Sequence, residues 1–205
     1  LQGLAKDRAL LVSAVIPSAD LKRPHVTWET MVFTLPDDGT GSLPLLRHII
    51  VNDDKSATYK LALLRTLTRI AEGAPGAARL EGEDGVAIPL GLVGLYWIKQ
   101  YLPLLTRHEL REHANPKLGY GFAKEAFYAL ANISPFDLRV GGTLGAEDGR
   151  QLIRALNDTC STIARMPAHY ITWPGTQRPI FTAEPQRVRP NAASVHLNLA
   201  TIWKF

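Results

Sequence analysis

The stretch from Ser56 to Lys60 gathers polar and basic side chains where a helix is predicted to begin, and this arrangement suits anion binding. Ser56 is a residue type that caps helix N-termini, and Thr58 and Tyr59 add hydroxyl groups close by. Unpaired backbone N–H groups and the positive end of the helix dipole lie at the same place. Together with the Lys60 ammonium, they predict a contact with one phosphate-like anion.

The predicted helix, Ser56 to Ala71, would place Lys60 near the middle of its apolar stripe, close to Leu67 in angle, with Arg65 on the opposite face. Because helical side chains lean toward the N-terminus, the Lys60 ammonium would leave the core past the start of the helix. The alternative is that Lys60 only extends into water and Ser56 only caps the helix.

Two later segments combine basic groups with groups that contact nucleic acids. The glycine-containing loop before the next helix carries Lys117, Tyr120 and Lys124, which suit base stacking and phosphate contact. A second segment predicts a turn between strands, with Gln177 and Arg178 at its tip, where they would reach base edges. The alternatives are an ordinary loop with anchoring aromatic residues and a plain hairpin.

Basic residues are concentrated toward the end of the chain. The formal net charge of the 205 residues is +4. Residues 165–205 hold five Lys or Arg, including Arg187 and Arg189, and one acidic residue, whereas residues 1–54 hold five Lys or Arg and seven acids. A basic end on a nearly neutral chain favours a polyanionic partner, although an ordinary solvated surface would have the same composition.

No complete catalytic, metal or cofactor motif is visible. The single cysteine, Cys160, excludes an intramolecular disulfide and any multi-cysteine zinc site. The segment His108–His113 is one residue too long for the zinc motif HExxH. We therefore predict no catalytic residue, no metal and no cofactor. An enzyme that assembles its site from distant residues, such as Glu109, His113 and Asp148, stays open as an alternative.

The periodicity predicts an α+β protein, with a mainly helical N-terminal two-thirds and a β-rich C-terminal part. Predicted helices are Leu4–Val15, Ser56–Ala71, Leu90–Leu102, Lys124–Asn132 and Glu147–Met166, and predicted strands are Val26–Leu35, His169–Trp173, Pro179–Ala183 and Ser194–Phe205. The corresponding domains are residues 1–166, a mainly helical DNA-recognition domain, and residues 167–205, a β-rich tail.

One apolar segment, Val86–Leu105, has about the length of a membrane span. It also carries Lys99, Gln100 and two prolines, so we predict a buried core helix and no membrane contact. The N-terminus has no basic region ahead of a long apolar block and no cleavage site of a signal peptide. With one cysteine in the chain, a cytoplasmic location is expected.

Two segments, KSATYKLALLRTL (Lys55–Leu67) and IPLGLVGLYWIKQYLPLL (Ile88–Leu105), resemble the N-terminal region of bacterial HNH-endonuclease proteins. The end of the chain, Ile202–Phe205, resembles the joint that leads toward the HNH module of those proteins. The segment Thr58–Leu64 is more loosely similar to the helix start of sulfur-binding domains, which sense phosphorothioate DNA. That resemblance implies that Tyr59 and Lys60 meet the modified phosphate.

These features together predict a DNA-recognition module of an HNH-type restriction or defence endonuclease. Its partner would be double-stranded DNA, in plain or phosphorothioate-modified form, and it could also form a homodimer. The resemblance implies that the tail continues into a C-terminal HNH module, so cleavage would lie outside these residues. The alternative is a structural or protein-interaction domain that presents the apolar helix of Val86–Leu105 to a partner.

Overall fold

The computed structural model describes residues 10–11, 32–33, 41–51, 58–81, 85–108, 121–185, 187–189 and 194–197. The chain divides into two compact units, Leu1–Pro44 and Leu45–Phe205. In the first unit, β1 (Leu10–Leu11) pairs antiparallel with β2 (Val32–Phe33).

The N-terminal helix prediction is wrong at Leu10 and Leu11, because these residues form β1 and pair with the apolar strand β2. Apolar leucines suit either structure, and a cross-strand partner distant in sequence decides between them. The strand β2 lies within the predicted strand Val26–Leu35. The other residues of both predicted segments lie outside the described part of the chain.

Helices dominate the rest of the chain. They are α1 (Ser42–Val51), α2 (Tyr59–Gly73), α3 (Leu90–Thr106), α4 (Glu125–Ala129), α5 (Ala146–Arg165) and α6 (Pro167–Tyr170). The predicted helix Glu147–Met166 is confirmed as α5. The predicted end of α3 before Pro103 is wrong, because a proline in the last turn removes one backbone donor without preventing three further helical residues.

The helix α3 forms the centre of the core and packs against both α2 and α5. It is apolar on nearly all sides, and Trp97 and Ile98 have no solvent exposure. At Gly94 the approach to α5 is close, since a Cβ there would lie 2.9 Å from the Sγ atom of Cys160. The prediction of a buried core helix over Val86–Leu105 is therefore confirmed from Leu90 onward, whereas Val86 lies outside the helix and is exposed.

The predicted β-rich C-terminal part is wrong. Residues 167–170 form α6, a single bridge joins Thr172 to Pro179, and β6 (Ser194–His196) pairs with the short strand β5 (Thr143–Gly145). Four prolines between residues 167 and 185 each remove a backbone donor, which disfavours a continuous ladder. The described protein is mainly helical and has only small two-stranded sheets. Besides the sheets β1–β2 and β5–β6, one sheet joins β3 (Arg79–Glu81) and β4 (Gly85–Ala87).

A membrane-spanning helix is absent from the described residues, where no helix combines the required length and hydrophobicity.

Candidate nucleic-acid interface

The first turn of α2 is attached to the core. The helix begins at Tyr59, with Thr58 in the N-cap position, and the Thr58 hydroxyl hydrogen-bonds to the Tyr101 hydroxyl at 2.5 Å. The Tyr59 side chain is 5% exposed, and its ring centroid lies 5.8 Å from that of Trp97 and 6.1 Å from that of Phe122. Tyr59 therefore anchors α2 to α3 from inside the protein.

The expected position of Lys60 at the centre of the buried face is wrong. The buried residues of α2 are Tyr59, Ala62, Leu63, Thr66 and Ile70. At about 100° per residue, Lys60 lies about 100° from the centre of that face, and its side chain is half-buried. Leucines at positions 61, 63, 64 and 67 surround much of the helix, so the apolar pattern alone left the orientation of α2 open.

The other predicted contacts near α2 are dispersed. Arg65 is exposed on the side of α2 that faces away from the core. Ser56, Lys117 and Tyr120 lie outside the described residues, so their part in an interface stays a prediction.

A continuous polar surface lies on the outward side of α5. At about 100° per residue, Glu147 and six later side chains fall within about 100° of one another, while Leu152, Leu156 and Ile163 face the core. We call the surface formed by the six later residues the α5 outer face, and its members are Arg150, Arg154, Asn157, Asp158, Ser161 and Arg165. It is longer than the first turn of α2 and carries three arginines.

Lys124 joins the α5 outer face through an ion pair. Its Nζ atom donates a hydrogen bond to Oδ1 of Asp158 at 2.7 Å, and the two side chains are 60% and 31% exposed. Lys124 occupies the N-cap position of α4, and α4 packs directly against α5. The packing of these two helices therefore sets where the Lys124 ammonium lies.

Two predicted contact residues, Arg187 and Arg189, flank a tail residue, Val188, that is attached to the α5 outer face. The side-chain amide of Asn157 donates to the Val188 carbonyl at 2.8 Å and accepts from the Val188 N–H at 3.1 Å. Val188 is half-buried against the core, whereas both arginines are exposed. This paired hydrogen bond holds the tail on α5 at Val188, and Arg187 lies beside Asp158 and Ser161 of the α5 outer face.

A cleft of about 260 Å³ opens between the tail and α5. Its lining residues are Asn157, Asp158, Ser161, Pro185 and Arg187. At a different point of α5, the Tyr59 hydroxyl lies near Thr162, because a Cβ at Gly121 would lie 2.8 Å from that hydroxyl and 3.8 Å from Cγ2 of Thr162. Segments that are far apart in sequence therefore meet around α5.

The charges around this face are predominantly basic. Among the described residues, the basic side chains are Lys124, Arg150, Arg154, Arg165, Arg187 and Arg189, and the acidic ones are Glu147, Asp158 and Glu184. Arg150 pairs with Glu147. The Arg150 and Gln151 hydrogen bonds hold the pKa of Glu147 below its usual value. Within the described part of the chain, Arg154, Arg187 and Arg189 form no ion pair or side-chain hydrogen bond.

A family model described as a domain of unknown function, DUF8808, matches residues 39–205, which is most of the chain. The chain belongs to the DUF8808 family. No curated protein and no solved structure matches the chain. The DUF8808 match includes α5, Lys124 and the tail, so the whole basic surface lies within it.

The turn that carries Gln177 and Arg178 is a separate part of the DUF8808 region. The Trp173 N–H donates to the Arg178 carbonyl at 3.0 Å, and Gly175 reverses the chain with a φ of 71°. Both predicted contact residues are exposed at this tight turn. Among the described contacts, no hydrogen bond or ion pair joins their side chains to the α5 outer face.

Sequence reasoning missed several members of the basic surface. Arg154 and Arg165 lie four residues from Arg150 and Ser161, respectively, and this helical spacing was the available signal. Asn157 gave no such signal, because its role depends on a tail residue 31 positions later. Only the tertiary contact identifies it.

The described part of the DUF8808 region holds no cluster of three or more His, Cys, Asp or Glu side chains that could bind a metal ion. Its cysteine is on the inner face of α5, where burial raises the pKa of the Cys160 thiol to about 12. The thiol donates to the Leu90 carbonyl at 3.6 Å. Cys160 is therefore a core residue in its protonated form at neutral pH.

Proposed function

We propose that this protein binds double-stranded DNA through the α5 outer face, Lys124 and the arginines of the tail. The observation that carries the proposal is the attachment of the tail to Asn157, which holds Val188, between the exposed Arg187 and Arg189, against α5. Arg187 lines a cleft with three residues of this helix, which also carries the exposed Arg154. None of the three guanidinium groups forms an ion pair among the described residues, although Arg154 interacts electrostatically with Glu147. Three exposed guanidinium groups of this kind favour an anionic ligand.

The spread of these groups supports a polyphosphate more than a single anion. The face runs from Arg150 to Arg165, a rise of about 22 Å along the helix axis at 1.5 Å per residue. Double-stranded DNA presents about one negative charge per 1.7 Å of its axis, so such a face spans many phosphates. Basic groups spaced along it would bind the backbone without reading sequence.

The wider biological setting rests on the sequence resemblance. In this proposal the chain is the recognition module of a cytoplasmic HNH-type restriction or defence endonuclease, and cleavage belongs to a different module. Plain DNA is the proposed ligand, because the buried Tyr59 ring is not available to contact a modified phosphate. Lys60, which is half-buried at the start of α2, would contribute at the margin of the interface.

The proposal is tested by fluorescence anisotropy with a labelled 20-base-pair duplex at several salt concentrations. The variant Arg154→Ala/Arg187→Ala/Arg189→Ala removes three charges from the proposed surface. A matched variant, Arg69→Ala/Arg79→Ala/Arg139→Ala, removes three exposed charges elsewhere. Because each lost phosphate contact reduces the slope of log K against log salt by about 0.9, the first variant should reduce it by about 2 to 3.

The matched variant should keep most of the slope. Absence of salt-dependent binding by the unmodified protein would overturn the proposal. Equal losses in the two variants would also overturn it, because they would indicate a nonspecific effect of net charge.

One observation favours a second function, in protein interaction. Leu80 and Val86 stand opposite each other on the β3–β4 hairpin and are 87% and 56% exposed. The α3 helix itself is buried, so the hairpin replaces it as the candidate contact surface. Under this alternative the hairpin mediates self-association. Analytical ultracentrifugation of Leu80→Glu beside the unmodified protein tests it, with a lower dimer fraction expected for the variant.

A further inference from the structure

The cleft between α5 and the tail presents four different chemical groups. Pro185 provides an apolar wall, Arg187 a cation, Ser161 a hydroxyl group and Asp158 a carboxylate. Asn157 also lines the cleft, and Val188 uses one N–H and one oxygen lone pair of its amide. The four other groups supply the charges, the hydroxyl group and the apolar surface that a ligand would meet.

Asp158 is an unusual component of a basic surface, since a carboxylate repels phosphate. Its Oδ1 atom accepts from Lys124, which offsets the negative charge. Its second oxygen and the Ser161 hydroxyl have no hydrogen-bond partner among the described residues. The cleft thus combines an available acceptor with an available cation, which suits a ligand that carries both a hydrogen-bond donor and an anionic group.

The cleft has a volume of about 260 Å³ and is open to solvent. Pockets for drug-sized ligands begin at about 300 Å³, so the cleft can enclose only a small unit of a larger ligand. One nucleotide unit, with a flat base against Pro185, is of suitable size and chemistry.

We infer that this cleft receives one unstacked base with an exocyclic amine, of the cytosine type, from the bound DNA strand. The amine donates to the available oxygen of Asp158, and the adjoining phosphate contacts Arg187. A carboxylate that accepts from the cytosine amine is an established mode of base reading. Uracil presents a carbonyl oxygen at the same position, which a carboxylate repels. This inference rests on the proposed DNA binding and adds a base preference to it.

The experiment compares labelled oligo(dC) and oligo(dU) of equal length by anisotropy at pH 7.5 and one salt concentration. The two strands carry the same phosphate charge, so the ratio of their dissociation constants removes the backbone contribution. We expect oligo(dC) to bind about threefold to tenfold more tightly, as the gain of one hydrogen bond would give.

Asp158→Ala should bring the ratio to about one, even though both strands then bind more tightly. Ser161→Leu, which narrows the cleft and keeps Asp158, should lower the ratio as well. The control Asp148→Ala removes an exposed carboxylate of α5 outside the cleft and should leave the ratio unchanged. A ratio near one in the unmodified protein, or a preference that persists in Asp158→Ala, would overturn the inference.

The two failures are distinguishable. If neither the duplex nor either single strand binds in a salt-dependent way, the proposed function fails. If the duplex binds and the two single strands bind equally, only the base preference fails.

Discussion

The first turn of α2 and the outer face of α5 carry similar polar and basic side chains, but they differ in their relation to the core. Thr58 and Tyr59 are tied to Tyr101 and to the aromatic cluster, which leaves the turn with a structural role. Arg154 and Arg187 are exposed to solvent, whereas the helix α5 and the tail backbone that carry them are joined by the hydrogen bonds of Asn157. Residue type alone therefore does not identify an interface, because orientation toward the core decides which groups a ligand can reach.

The largest expected effect is on the stability of the α2 turn. Tyr59→Ala removes a buried ring from the aromatic cluster, and we expect a loss of about 3 to 5 kcal/mol in the free energy of unfolding, measured by urea denaturation. Tyr59→Phe keeps the ring and should lose much less. If Tyr59→Ala instead kept its stability and lost DNA binding, the turn would be the interface and the contrast between the regions would fail.

The next effect concerns the attachment of the tail to α5. Asn157→Ala leaves the Val188 N–H and carbonyl without their side-chain partners, at a cost of about 1 to 3 kcal/mol to the local structure. We expect faster trypsin cleavage after Arg187, together with weaker DNA binding.

Asn132→Ala, at another exposed asparagine, is the control for that variant. Both variants should keep Cys160 unreactive toward a thiol reagent at pH 8, because burial raises its pKa to about 12. Rapid thiol labelling in Asn157→Ala would instead mean that the whole core had opened.

A smaller effect on the salt dependence of DNA binding is expected when one arginine is removed from each of the two regions. Arg187→Ala should reduce the slope of log K against log salt by about 0.9, corresponding to one lost phosphate contact. Arg65→Ala, on the outward side of α2, should change it little. Salt titrations of duplex binding measure both slopes. A larger loss for Arg65→Ala would move the interface to α2.

The smallest effect is the acid sensitivity of α5. Hydrogen bonds from Arg150 and Gln151 lower the pKa of Glu147, so the folded state favours its carboxylate. The resulting stabilisation is present above its usual pKa of 4.5 and is lost as the pH falls through the lowered value. Glu147→Gln should therefore have a slightly lower urea midpoint than the unmodified protein at pH 6, and the difference should shrink as the pH falls below 4.5. A difference that grows with acidity would contradict this assignment.

The local features that were predictable are those with strong periodicity. The helix α5 shows apolar residues at helical spacing between an acidic first turn and Pro167, so its limits were predicted to within a residue. Uniform hydrophobicity likewise indicated that α3 is buried. In the C-terminal part, β-branched and aromatic residues predicted strands, but prolines and the attachment to α5 prevent a continuous ladder.

The amino-acid sequence by itself determined the main helices, the burial of α3 and the excess of basic residues near the C-terminal end, because these depend on local spacing and composition. Only the tertiary structure decided which side of α2 faces the core and which basic groups stand together. Leucines on several sides of α2 fit more than one orientation, and contact with Trp97 and Phe122 selects one of them. Likewise, Asn157 and Val188 meet across 31 residues, at a distance in sequence that no local pattern can encode.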